Sequence, residues 1–144
     1  LNNIEIKDNP HFKNLDKKDI MQFMADLSIW NNSLSEKCNF IGVLDDSVTI
    51  NHEFISKLEK LDLSNIDMLL LTGDDNLNKV EKVEECSAYL IKSDMIKKLL
   101  DDIHSKQTSV PFNEFLSRYT SIFNIYSIKL LDQENIKTTI IKNV

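Results

Sequence analysis

An α/β domain with a mainly parallel, helix-covered sheet is the fold this sequence predicts. Residues 40–44, 66–72 and 87–91 are short, nearly unbroken apolar runs of the kind found in strands buried on both faces. Residues 17–35, 54–61 and 96–103 instead repeat apolar side chains at helical spacing. A helical segment between two buried strands is the sequence form of a crossover, the connection that parallel strands require.

The first element is a helix over residues 17–35, in which Ile20, Phe23, Met24, Leu27, Trp30 and Leu34 fall on one stripe. Asp16 is suited to accept from the unpaired N–H groups of the first turn, and Leu15 and Ile20 stand where a hydrophobic staple places its two residues. Their shared stripe assigns Trp30, Phe23 and Leu27 to the core, not to a platform for a sugar ring. The run Phe40-Ile41-Gly42-Val43-Leu44 stops abruptly at Asp45-Asp46-Ser47, which predicts a buried strand with an acidic carboxyl end.

Val48, Thr49 and Ile50 lead into a short helix whose Phe54, Ile55, Leu58 and Leu61 share a face. The strand at 66–72 closes on Gly73-Asp74-Asp75-Asn76, a turn signal. Residues 77–85 are polar and without period, which predicts a loop or an irregular edge segment. After the strand at 87–91, Ser93 is placed to cap a helix that turns Ile96, Leu99, Leu100 and Ile103 inward. Pro111 opens a further helix through Tyr119, and residues 122–131 alternate as a strand. The tail from Thr138 to Val144 fits neither period.

With 144 residues, 42% of them hydrophobic, the chain has the apolar mass for one core and is expected to form a single domain. Two glycines and two prolines exclude a collagenous or linker-rich chain. A net charge of −6 with interleaved lysines supplies no basic stripe, so nucleic acid is not an expected partner. No apolar run approaches the roughly 20 residues that span a bilayer. A cytoplasmic protein is expected, associated with membranes only through partners if at all; because the chain opens at Leu1, residues preceding it are expected. Cys38 and Cys86 form no CxxC pair, and His11, His52 and His104 lack the spacing of zinc ligands.

Three acidic pairs are candidates for chemistry. Asp101-Asp102 lies near the end of a helix, where acids oppose the macrodipole and are solvated. The stretch from Asp74 to Glu85 matches part of a calcium loop, but Lys79 occupies the glycine position. Asp45-Asp46 directly follows a buried strand, and open α/β sheets bind ligands at the carboxyl ends of their strands. Carboxylates there can hold Mg²⁺ or Mn²⁺, which neutralises the charge that grows on a departing diphosphate. A strand ending in Asp-Asp also suits a phosphoacceptor domain, but the position where such a domain needs a further acid holds Leu90 and Ile91.

Taken in order, several segments resemble the family 25 glycosyltransferases. Residues 15–20 and Leu27-Ser28-Ile29-Trp30 are similar to that family's Leu-x-x-Gly-Glu-Ile-Gly-Cys stretch leading to Ser-His-x-x-x-Trp. Residues 40–50 resemble its strand ending in Leu-Glu-Asp-Asp, residues 52–61 its Phe-containing helix, and Asp67-Met68-Leu69-Leu70-Leu71-Thr72-Gly73 its Trp-Asp-Leu-Leu-Leu-Leu-Gly strand. Ser87-Ala88-Tyr89-Leu90-Ile91 with Lys98-Leu99-Leu100 resembles its Ala-Tyr-Leu-Ile strand and Lys-Leu-Leu helix. Residues 111–116 resemble its Pro-x-Asp-x-x-Leu segment, and Gln133 with Thr138-Thr139-Ile140 its closing Gln and Ser-Asp-Ile.

The resemblance implies a GT-A-like, Rossmann-like nucleotide-binding fold over residues 1–144, without the strand-helix unit with which family members begin. It implies transfer of a hexose from a nucleotide diphosphate sugar to a hydroxyl of a glycan or protein acceptor, as in lipopolysaccharide-type glycan biosynthesis. On that reading Asp46 holds a Mn²⁺ or Mg²⁺ ion, weakly or only with the donor present. Asp45 and Ser47 contact the nucleotide sugar beside it, and Asp26 or Glu114 is the base for the acceptor. The chain departs from the family pattern at Ser47 for its third acid, Ala25-Asp26 for Ser-His, Met21-Gln22 for Gly-Cys and Asn113 for the Pro-x-Asp acid. These departures motivate the alternative, a catalytically degenerate module that binds a glycan or a protein.

Overall fold

The computed structural model describes residues 11–35, 39–45, 48, 50 and 52–131. Their order is α1 (Lys17–Ser33), β1 (Phe40–Leu44), α2 (His52–Glu59), β2 (Met68–Leu70), β3 (Asn78–Lys79), β4 (Ala88–Lys92), α3 (Ser93–Ser105), α4 (Phe112–Ser117) and β5 (Ile125–Ser127). One five-stranded mixed sheet with helices results, in the strand order β1-β4-β2-β5-β3.

The expected single sheet with helical cover is present, but it is not mainly parallel. β4 lies between β1 and β2 and runs antiparallel to both, β3 runs antiparallel to β5, and the parallel pairing is β2 with β5. β1 and β2 share a direction, as their helical crossover through α2 demands, yet they are not neighbours. The reason lies in the connection from β2 to β4. Residues 71–87 contain no helix, so they form no βαβ unit, and the chain returns antiparallel beside the strand it has just left.

Period-two alternation along the strands divides the core between the two sheet faces. Met68, Leu70, Tyr89 and Ile91 pack with Phe23 and Trp30 of α1, Ile96, Leu99 and Ile103 of α3, and Phe112, Phe115 and Leu116 of α4. Leu69, Leu71 and Ala88 pack on the other face with Phe54 of α2, Ile66, Leu130 and Leu131. Trp30 and Phe23 are fully buried and Leu27 packs against the same cluster, as their shared stripe requires. The aromatic rings of Phe12, Phe23, Phe112 and Phe115 meet with centroid separations of 4.9–5.5 Å around Phe23.

Local signals at the helix ends are partly borne out. Asp16 caps α1, its Oδ1 accepting from the Asp19 N–H at 2.9 Å. Ser93 is not the cap of α3. Lys92 takes that position, and the Ser93 N–H donates to the Asn39 carbonyl at the foot of β1. α4 ends at Ser117, and of residues 122–131 three form a strand, joined by a single bridge from Thr72 to Lys129. The polar stretch 77–85 contributes the two-residue strand β3, which satisfies the outer edge of β5. The tail beyond Leu131, with Gln133 and Thr138-Thr139-Ile140, lies outside the described residues.

Gly73 marks a close approach between the ends of β2 and β5. A Cβ there would stand 2.7 and 2.8 Å from the Ser127 side chain and 3.4 Å from the Ile128 nitrogen. Gly73→Ala is expected to cost about 1–3 kcal/mol by overpacking, read as a lower urea midpoint with an unchanged slope. Among the described residues no helix is long and apolar enough to cross a membrane.

Candidate functional site

The carboxyl end of β1 opens on a cavity of about 260 Å³ lined by Lys18, Asp19 and Gln22 of α1, Asp45, the segment Glu84-Glu85-Cys86-Ser87, and Phe112 and Asn113 of α4. Asp45 therefore stands where the sequence places it, at a strand end and in a cleft. Its N–H donates to the Ser87 carbonyl at 2.7 Å, which extends the β1–β4 ladder by one step and fixes both residues at the rim. Asp46 and Ser47 lie outside the described residues.

Asp26 does not line the cleft; it lies beneath it. On the core stripe of α1 it is only 5% exposed, and its Oδ2 accepts from the Tyr89 hydroxyl at 2.8 Å. Tyr89 in turn accepts from the Trp30 indole N–H at 3.1 Å, so a buried chain of donors runs from Trp30 through Tyr89 to Asp26. Burial raises the Asp26 carboxyl from its ordinary 3.8 to about 6, against the lowering pull of hydrogen bonds from Tyr89 and Gln22, with a smaller upward push from Asp45. The Tyr89 hydroxyl is held well above its usual range by burial and by the neighbouring charge of Asp26.

Glu114, the other candidate base, is exposed in the first turn of α4 and lies outside the cleft lining. Its charge does reach Asp19, whose carboxyl is raised first by partial burial and then by Asp16. Cys86 lines the cavity, but burial pushes its thiol up to about 12, so it is a neutral packing group and not a nucleophile.

Two features of this cleft escaped sequence reasoning. Ser87 Oγ is buried without a hydrogen-bond partner, alone in this among the described residues. Glu84 and Glu85 belong to a segment that has no period but is pinned at both ends. Val83 is fully buried and its N–H donates to Ser117 Oγ at 2.8 Å, while the Ser87 carbonyl is held by Asp45. The available signal for the first feature was a serine opening an otherwise apolar strand; for the second there was none.

An orphaned buried hydroxyl costs about 1–3 kcal/mol. Ser87→Ala is therefore expected to stabilise the protein by about 1 kcal/mol, measured by urea unfolding, and a loss of that size would show that Ser87 has a structural partner instead. Among the described residues no group of three or more His, Cys, Asp or Glu side chains is disposed to hold a metal ion. Among the described lining residues, Asp45, Asp19, Glu84 and Glu85 supply hard oxygen donors and Lys18 supplies a positive charge.

No family model matches the chain, and no curated protein matches it.

Proposed function

We propose that this chain is a glycosyltransferase-like domain of GT-A type whose acidic cleft at the end of β1 receives a nucleotide diphosphate sugar together with a divalent cation. The observation that carries the reading is Asp45 at the carboxyl end of a sheet strand, in a cavity roofed by α1 and α4. Charge supports the dependence on a cation. Among the described lining residues a bare diphosphate would face four carboxylates and one lysine, a balance that favours its entry together with a positive ion.

Asp46 would hold Mn²⁺ or Mg²⁺, and Asp45, at the rim of the cleft, would contact the nucleotide sugar beside it. When bound, the ion neutralises the charge that develops on the departing diphosphate. Gln22 and Asn113 offer amide groups to donor hydroxyls, and Phe112 closes the inner wall. The acceptor would be a glycan or protein hydroxyl.

A second reading, the degenerate module that binds a glycan or protein, is favoured by one observation. Asp26, in the place of the family's motif histidine, is buried and engaged by Tyr89. Calorimetry separates the two. Nucleotide diphosphate sugars are expected to bind only with Mn²⁺ or Mg²⁺ present, and Asp45→Asn is expected to weaken that binding at least tenfold. Absence of binding with either metal rejects the transferase reading and leaves the module.

A further inference from the structure

His11 and His104 are far apart in the chain, and the fold sets their rings side by side. The ring centroids are 5.2 Å apart, with the planes inclined at 61°. Neither residue lines the acidic cleft. From this pair we infer that the protein has a zinc-type site, in which His11 and His104 hold one divalent ion between the segment ahead of α1 and the C-terminal end of α3. The inference is independent of the transferase reading.

Two imidazole nitrogens bound at about 2.0–2.1 Å to one tetrahedral ion place their ring centroids about 5 Å apart, so the rings already stand at bridging distance. Both backbones are anchored. The Thr108 N–H donates to the His11 carbonyl at 2.8 Å, and the Lys13 N–H donates to the Thr108 carbonyl at 2.9 Å. Phe12 between them is buried, its ring 4.9 Å from that of Phe23 in α1. His104 follows the fully buried Ile103 in the last turn of α3. Little ordering is left for the ion to impose. Charge at the helix end acts in the same direction, because the last carbonyls of α3 carry partial negative charge and favour a cation beside His104. Lys106, the next basic residue, lines a different cavity with Arg118 and Tyr119. Imidazole suits Zn²⁺, Cu²⁺ and Ni²⁺, whereas Mg²⁺ and Mn²⁺ prefer oxygen, so this site and the acidic cleft call for different cations. Among the described residues no third His, Cys, Asp or Glu joins the pair, so water fills the other positions. The spacing of the histidines in the sequence hid them, since they meet only once Phe12 is bridged to Thr108. An ion that needs the folded pair stabilises the fold.

The test is calorimetric titration of the chain with Zn²⁺, alone and with Mg²⁺ in excess so that the acidic cleft does not compete, together with histidine ring resonances and melting temperature. One equivalent of Zn²⁺ is expected to bind in both titrations and to raise the melting temperature. The ring signals of His11 and His104 are expected to shift together while those of His52 stay. His104→Gln is expected to lower Zn²⁺ affinity at least tenfold and to keep the metal-free melting temperature, because this side chain is exposed. His11→Gln should lose the same response, and the double variant should lose no more than either single one. No Zn²⁺ binding by the parent, binding that persists in His104→Gln, or binding abolished by excess Mg²⁺ would each overturn the inference.

Discussion

Trp30→Ala is expected to remove about 3–5 kcal/mol of stability, a large part of the 5–15 kcal/mol typical of a folded domain. The indole is fully buried between α4 and the sheet, with its ring 5.7 Å from that of Phe112. Truncation leaves a cavity at the centre of the larger core cluster and strips Tyr89 of a donor. Trp30→Phe keeps most of the apolar volume and removes the N–H, so it is expected to cost less, about 1–2 kcal/mol. Because Trp30 is the only tryptophan in the chain, unfolding of both variants has to be followed by far-ultraviolet circular dichroism. A cost below about 1 kcal/mol for Trp30→Ala would mean that the site collapses around the missing ring, against the close packing typical of protein interiors.

The same residue shows how far the sequence could be read. α1 was legible almost to its ends because three independent signals agree: an acidic cap at Asp16, an apolar stripe, and a staple of Leu15 with Ile20. The strands were legible as apolar runs, and Asp45 as the end of one. Strand direction was not, since a buried strand reads alike in either direction and only its connections distinguish the two. The helix-free stretch between β2 and β4 held that information, and reading it as a loop without asking what such a loop permits produced the parallel sheet.

The cleft was less legible than the sheet for a related reason. Glu84 and Glu85 occupy an irregular segment whose position depends on Ser117 and Asp45, residues far away in sequence. Asp26 did leave a trace. It falls three residues after Phe23 and four before Trp30, on the apolar stripe of α1, where a solvated acid does not belong. An acid on that stripe has to be buried and partnered, and Tyr89 is the partner.

That burial carries the last prediction. The Asp26 carboxyl is raised to about 6 in the folded protein, chiefly by desolvation, and returns to about 3.8 when the chain unfolds. The folded state therefore binds this proton more tightly than the unfolded state does. Its contribution to stability is complete below pH ~4 and is lost as the pH rises through about 6. At pH 7.5 the ionised group costs about 2–3 kcal/mol relative to a neutral one. Asn has nearly the same shape and can still accept from Tyr89, so Asp26→Asn is expected to stabilise the protein by that amount at pH 7.5 and by almost nothing at pH 4. Urea unfolding at the two pH values measures the difference directly. An equal effect at both, or destabilisation at pH 7.5, would show that the Tyr89 bond offsets the burial and that the carboxylate is native. If the gain is found, the chain keeps at this position an acid that weakens its fold at neutral pH, directly beneath a cleft and beside Asp45. The charge on Asp26 and that on Asp45 at the cleft rim act on one another, so titration of Asp26 is expected to reach a bound ligand through that pair. Ligand binding in the parent should then change with an apparent pKa near 6, and that step should vanish in the Asn variant.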